Sequence, residues 1–231
     1  MFAVKEKQKL IEEGKIKKEK PLPPIAEDEI PFDIPNSWMW CQLGDVTTYS
    51  QTKVKINGKD ICSNIWSLDL EDIEKDTGKI LNIVQSSERK IKGDKTKFFK
   101  GDILYSKLRP YLRKVLVASE NGICTSELVP FSSYKPECNL YLLYLLKSSY
   151  IDFTVNNATY GMKIPRVSTE TMVNLLVPLP PLSEQKRIVA KVEELLSLCD
   201  KLKERGMRTK SWTPLLILTK SEPVLYRAQS S

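Results

Sequence analysis

The 231-residue chain contains no histidine. That absence excludes Ser-His-Asp and Cys-His nucleophilic catalysis, HExxH zinc chemistry and every imidazole-based metal site. Long apolar runs are also missing. The longest, residues 140–146, falls far short of the roughly 20 residues that cross a bilayer, so no membrane partner is expected. The N-terminus opens Met1-Phe2-Ala3-Val4 and then turns charged, without the apolar core of a secretory signal. The five cysteines lie 14 to 62 residues apart with no CxxC pair, a pattern that suits reduced thiols in a cytoplasmic protein. Neither GxxxxGK[ST] nor GxGxxG occurs, so no loop signals a nucleotide or S-adenosylmethionine, and no cofactor or metal is expected in this chain.

What the sequence does have is basic charge in one place. Lys and Arg number 36 against 29 acidic residues, an excess of +7 with a pI near 9.0. Residues 85–115 alone hold ten basic residues, among them Arg89, Lys92, Lys107, Arg109, Arg113 and Lys114, against Glu88, Asp94 and Asp102. That window carries the whole excess, and a clustered field of this kind binds phosphates where a diluted one only aids solubility. Strand alternation over residues 103–109 puts Leu104, Ser106 and Leu108 on one face and Tyr105, Lys107 and Arg109 on the other. The second face is expected to point outward, where an aromatic beside two cations suits a nucleic-acid backbone or groove. The guanidinium forks of Arg109 and Arg113, with the Lys107 ammonium beside them in sequence, favour contact there. For residues 89–100, a solvated lysine-rich loop beside a charge-protected edge strand remains an equal reading.

Prolines mark the organisation. Five of 14 lie within residues 21–35, and Pro178, Pro180 and Pro181 form a second cluster. They bracket a central segment of mixed α and β character. Strands are predicted at 46–49, 65–70, 80–84, 103–109, 115–118 and 128–131, with a helix over 139–156 and a shorter one after Ser168. The 139–156 helix places Leu142, Leu145, Leu146 and Phe153 on its apolar face. Upstream, residues 5–20 hold seven lysines and four glutamates, which reads as a frayed helix or solvated arm. Downstream, Ser183 can cap a helix over 183–205, about 34 Å long. Its Ile188, Val192, Leu195, Cys199 and Leu202 follow a heptad, with Val192 and Cys199 at a and the others at d. Such a stripe can pack on its own domain, but its charged flanks favour a partner helix of the same kind.

The acidic set Asp69, Glu71, Asp72 and Glu74 admits a metal-nuclease reading, though alternating acids are more often a solvated face. Several motifs then occur in a particular order. Ile34-Pro35 precedes Trp38-Met39-Trp40 and Leu43-Gly44-Asp45-Val46. Leu70-Glu71-Asp72-Ile73-Glu74 and Thr77-Gly78-Lys79-Ile80 follow, and then Gly101-Asp102-Ile103-Leu104-Tyr105-Ser106-Lys107-Leu108-Arg109-Pro110. Thr125-Ser126-Glu127, Gly161 with Ile164-Pro165-Arg166-Val167-Ser168, and Val177-Pro178-Leu179-Pro180-Pro181-Leu182 before Glu184-Gln185-Lys186-Arg187-Ile188 complete the set. In this order the sequence resembles the specificity subunit of type I restriction-modification systems, in a half-length form with one target-recognition domain.

The resemblance implies an α+β architecture, a mixed α/β DNA target-recognition domain followed by a long coiled-coil-type helix. The expected divisions are an arm and linker at 1–35, the recognition domain at 36–180, the spacer helix at 181–205 and an atypical tail at 206–231. Lys163 and Arg166 join Tyr105, Lys107, Arg109, Arg113, Lys114, Arg89 and Lys92 as candidate DNA contacts. The helix would pair antiparallel with its equivalent in a homodimer through Ile188, Val192, Leu195, Cys199 and Leu202. That pair would set the spacing of a bipartite double-stranded DNA site and hold the modification subunits, with a restriction subunit joining the complex. Methyl transfer and cleavage, with S-adenosylmethionine, ATP and magnesium, would belong to those partner subunits, leaving this chain non-catalytic. Glu71 and Glu127 would be structural. The tail departs from the family pattern and reads as a truncated or frame-altered end. A self-contained DNA-processing enzyme and a coiled-coil adaptor without DNA binding stand as the alternative functions.

Overall fold

The computed structural model describes residues 2–14, 16, 18 and 20–204, and the chain divides into two units, residues 1–189 and 190–231. In the first unit the elements follow in the order α1 (Phe2–Glu12), β1 (Met39–Gln42), α2 (Leu43–Val46), β2 (Lys55–Ile56), β3 (Trp66–Leu68), β4 (Lys95–Phe98) and β5 (Ile103–Ser106). Then come β6 (Val115–Val117), β7 (Gly122–Cys124), β8 (Leu128–Phe131), α3 (Asn139–Leu146), α4 (Ser149–Ala158), α5 (Thr169–Val173) and β9 (Leu176–Leu179). Helix α6 (Leu182–Glu204) begins in the first unit and ends in the second. The mixed α+β class with a long C-terminal helix is the one expected from sequence. Among the described residues no helix is long and apolar enough to cross a membrane.

The central element is the antiparallel sheet β6-β5-β8, and both of its faces are covered. Alternation along β5 sends Ile103 and Tyr105 to one core, shared with Val115, Phe131 and the apolar residues of α3, α4 and α5. Leu104 enters a second core with Leu116, Leu128, Trp66, Leu68, Phe98 and Cys124. A strand covered on both sides has no outward face, which is why all four β5 residues are buried. The expectation that Tyr105 points outward is therefore corrected. The predicted strand also stops at Ser106 and does not reach Arg109.

A four-stranded sheet, β2-β4-β7-β3, carries the second core, with β3 and β7 parallel and the other pairs antiparallel. Its tightest point is Gly122, where an added Cβ would lie 2.4 Å from the Phe98 ring and 2.6 Å from the Trp66 carbonyl oxygen. The absent side chain leaves room for the edge-to-face Trp66–Phe98 pair, whose centroids are 5.2 Å apart. The antiparallel pair β1-β9 anchors the start of α6. The Pro181 carbonyl accepts the Glu184 and Gln185 amides, Gln185 Nε2 donates to Pro180 O at 2.9 Å, and Trp38 Nε1 donates to Glu184 Oε2 at 3.1 Å. The helix thus starts at Leu182, one residue before the expected Ser183 cap.

Other expectations are revised. Residues 46–49 form no strand, because Leu43–Val46 closes a helical turn and only Thr47 bridges to Ser133. Residues 80–84 make isolated bridges through Ile80 and the neighbouring Gln85 in place of a ladder. The single helix over 139–156 is two helices, since Ser148 leaves helical geometry and its Oγ caps α4 by accepting the Ile151 amide. That break resets the helical phase and leaves Phe153 69% exposed. The basic arm is not solvated throughout: α1 is held by Lys7, whose Nζ donates to Gly44 O at 2.9 Å and pairs with Asp45 at 3.4 Å. The tail at 206–231 and Arg205, the expected helix end, lie outside the described residues.

Gly122→Ala should lower unfolding stability by about 1–3 kcal/mol through overpacking against Phe98 and the Trp66 carbonyl. Urea denaturation followed by tryptophan fluorescence measures this, and an unchanged midpoint would show that the Phe98 ring can yield.

Candidate nucleic-acid interface

Where β5 ends, the chain is paired with a segment from much later in the sequence. The Lys107 amide donates to Glu127 O at 3.0 Å, and the Lys107 carbonyl accepts the Val167 amide at 2.9 Å. Leu108 bridges to Arg166, and the Arg109 amide donates to Pro165 O at 2.8 Å. These bonds lay residues 165–167 along residues 107–109. They bring three of the sequence-predicted cations, Lys107, Arg109 and Arg166, onto two adjoining stretches of backbone, with Lys163 two residues before the second.

The turn that follows is strained. Arg109 (φ 50°) and Arg113 (φ 47°) both take the left-handed conformation on either side of the 3-10 turn Pro110–Leu112. A non-glycine residue in that region costs of the order of 1 kcal/mol, and such strain is concentrated at functional sites. The two arginines end differently. Arg109 is exposed, and among the described residues its side chain has no hydrogen-bond or ion-pair partner. Arg113 donates through Nε and Nη2 to Asp76 Oδ1 at 3.0 and 2.7 Å, so its fork is occupied within the chain.

Charge state follows from the same surroundings. Arg166 is over half exposed and pairs with Glu127 at 2.9 Å, in keeping with a structural role for that glutamate. Lys163 is exposed and Lys107 half-buried, and among the described residues neither side chain has a hydrogen-bond or ion-pair partner. Lys114 Nζ donates to Leu70 O at 2.7 Å. Burial, with a smaller contribution from Asp152, raises the Tyr105 hydroxyl above its ordinary pKa, so it stays neutral inside the core.

Arg89 is held within the chain and is mostly buried. Its guanidinium is gripped by Asp69 at 2.9 Å and by Asp72, with Glu71 at 3.5 Å, and its Nε donates to Ser67 O at 3.2 Å. Lys95 completes the network through Asp69 at 3.2 Å. With Asp72 only 3% exposed, this is an internal brace between the turn after β3 and the segment before β4. The acids considered for a metal nuclease, Asp69 and Asp72, hold this arginine, and among the described residues no cluster of three or more candidate ligands is assembled. Lys92 is exposed in the turn preceding β4. Burial also pushes the Cys41 thiol up to about 11 and the Cys124 thiol up to about 12, far from a reactive thiolate at neutral pH.

The structure adds residues that the charge pattern could not reveal. Tyr160, Met162 and Ile164 are 91%, 51% and 58% exposed, in the loop that carries Lys163 and Arg166. Their only sequence signal is the interleaving of large apolar residues with Lys163 and Arg166 over residues 160–166. Along α6, Ile188 is half-buried and packs against the first core of its own unit. Within the second unit Val192, Leu195 and Cys199 are half-buried, and Leu202 is 38% exposed.

Because Arg89 neutralises a buried carboxylate, Arg89→Ala should cost about 3–5 kcal/mol. Lys107→Ala and Arg109→Ala should each stay within about 0.5 kcal/mol of wild type. Equal thermal stabilities for the three variants would remove the distinction between brace and surface.

Residues 35–208 match a family model described as the type I restriction modification DNA specificity domain. The chain is 32% identical over 219 residues to the EcoAI type I restriction enzyme specificity subunit of Escherichia coli, aligning 86% of this chain with 35% of that protein. It is 30% identical over 177 residues to the EcoDI specificity subunit of the same organism, aligning 77% of this chain with 38% of that one. Among solved structures, the HsdS subunit from Thermoanaerobacter tengcongensis superimposes with a TM-score of 0.62 at 25% identity, over 75% of this chain and 46% of that one. The chain spans well under half the length of these curated relatives.

Proposed function

The chain belongs to the type I restriction-modification DNA specificity family, and from that premise we propose that it is a non-catalytic reader of double-stranded DNA. The observation that carries the reading is the pairing of residues 107–109 with 165–167, which brings the backbone of Lys107, Arg109 and Arg166 together, with Lys163 in the loop just before the paired segment. Among them only Arg166 has an acidic partner among the described residues, the half-buried Glu127, and the arginine itself is over half exposed. Three of the four cations are thus available to phosphates, and the exposed Arg109 fork suits a phosphate or a guanine edge. Arg89, Arg113 and Lys114 are engaged in internal bonds that join segments of the fold, and Tyr105 lies in the core.

The finer assembly belongs to the same proposal. One recognition domain reads one half of a bipartite site, and two chains meet through α6 to read both halves. Val192, Leu195, Cys199 and Leu202 supply the seam, with Ile188 left to the domain core. Modification subunits dock on this frame and bring S-adenosylmethionine, and a restriction subunit brings ATP-driven cleavage with magnesium. The setting is the cytoplasm, where DNA and reduced thiols coexist.

DNA binding should weaken steeply with salt, with log K falling by about 0.9 per phosphate contact for each tenfold rise. Replacing Lys107, Arg109 and Lys163 with alanine should reduce that slope by about 2–3, measured by fluorescence anisotropy on labelled duplex across a salt series. Wild-type affinity in the triple variant would sink the contact assignment. Leu195→Asp should shift sedimentation from dimer to monomer. An unchanged profile would mean that α6 does not pair chains.

A further inference from the structure

The loop 160–166 stands between two buried anchors. Thr159 is 4% exposed, with Oγ1 donating to Val155 O at 3.2 Å, and Val167 is 2% exposed, with its amide on Lys107 O. Between them Gly161 turns the chain with φ +80°, and the Tyr160 and Met162 amides close turns onto Asn157 O and Thr159 O. The span is therefore short and fixed at both ends. Isolated exposed apolar residues are ordinary, but Tyr160, Met162 and Ile164 are three large ones within five positions of one pinned loop. They contribute little buried area to either core, so folding does not account for them. Lys163 lies among them, and Lys107, Arg109 and Arg166 flank the loop base.

Resting on the DNA-reading function above, we propose that Tyr160, Met162 and Ile164 form an apolar prong that enters a groove of the duplex and wedges against a base step. The flanking cations hold the phosphates on either side. A duplex is the partner this chemistry fits, because anionic charge lines its rim while apolar base faces lie within reach inside. An acidic protein surface offers the charge without the stacked interior. Side chains inserted at a base step unstack it partly and bend the helix axis, and the bend brings more backbone to the cations. Arg109 joins this arrangement through its backbone, its amide donating to Pro165 O at the base of the loop, and its side chain is exposed. Sequence preference would then come in part from how easily a given step opens, in addition to any direct contact with base edges.

The test uses the full chain and a 60-bp duplex pool with a randomised centre. Duplexes retained by wild-type protein at low salt are recovered and labelled at their two ends with a donor and an acceptor fluorophore. Wild-type binding should change the end-to-end energy transfer. The triple variant Tyr160→Ser, Met162→Ser, Ile164→Ser should bind at least tenfold more weakly, leave the transfer unchanged at saturation and keep the wild-type salt slope. Its thermal melt should match wild type, since the three side chains are exposed. As a second variant, Lys107→Ala with Arg109→Ala should lose affinity and salt slope yet still change the transfer once saturated. Wild-type binding without any change in transfer overturns the prong while leaving DNA reading intact. A prong variant that still gives the full change does the same. Failure of the wild-type chain to retain any duplex overturns DNA reading itself. Prong-dependent binding to vesicles of phosphatidylglycerol and phosphatidylcholine, without a change in duplex transfer, assigns the loop to a lipid surface and overturns the proposal.

Discussion

The structure depends on one strand being covered from both sides. Strand β5 supplies Ile103 and Tyr105 to one core and Leu104 to the other, so the two apolar clusters share a single backbone wall. Nothing along β5 can move without disturbing both. At about 25 cal/mol per Å² of apolar surface removed from water, a wall of this kind adds stabilisation to both clusters at once. It also decides where recognition can occur. Since β5 offers no face to solvent, the contact surface must start where the strand ends, at Lys107.

That geometry explains what could be read in the sequence and what could not. The mixed class, β8, the Ser168-capped short helix and the long C-terminal helix were all legible, because local periodicity and turn chemistry set them. Tyr105 was misplaced because a period of two tells which residues share a face, not whether the opposite face is covered. The 139–156 helix was read as one, since its apolar spacing gives no sign of Ser148 leaving helical geometry. Strands β4, β7 and β9 escaped notice for particular reasons. Lysines occupy alternate positions in β4, β7 is three residues long and begins at Gly122, and Pro178 interrupts β9.

The candidate site was half legible. Basic density located residues 85–115, but density along a chain is not a field in space. Arg89, Arg113 and Lys114 are spent on Asp69, Asp72, Asp76 and the Leu70 carbonyl, where they join segments of the fold. Buried or half-buried guanidinium groups need such partners, and partners far apart in sequence cannot be foreseen from composition. The cations that remain available owe their proximity to the pairing of the β5 exit with residues 165–167. No windowed reading of either segment alone contains that pairing.

The two buried anchors, Thr159 and Val167, have a consequence for how such a protein can change. The residues between them lie outside both cores and give the fold little of its stability, so exchanging them should cost little in folding. Stability and recognition are therefore assigned to different residues. A lineage can rewrite the loop while the two-core frame stays constant, and new specificities can arise without first acquiring a more stable scaffold.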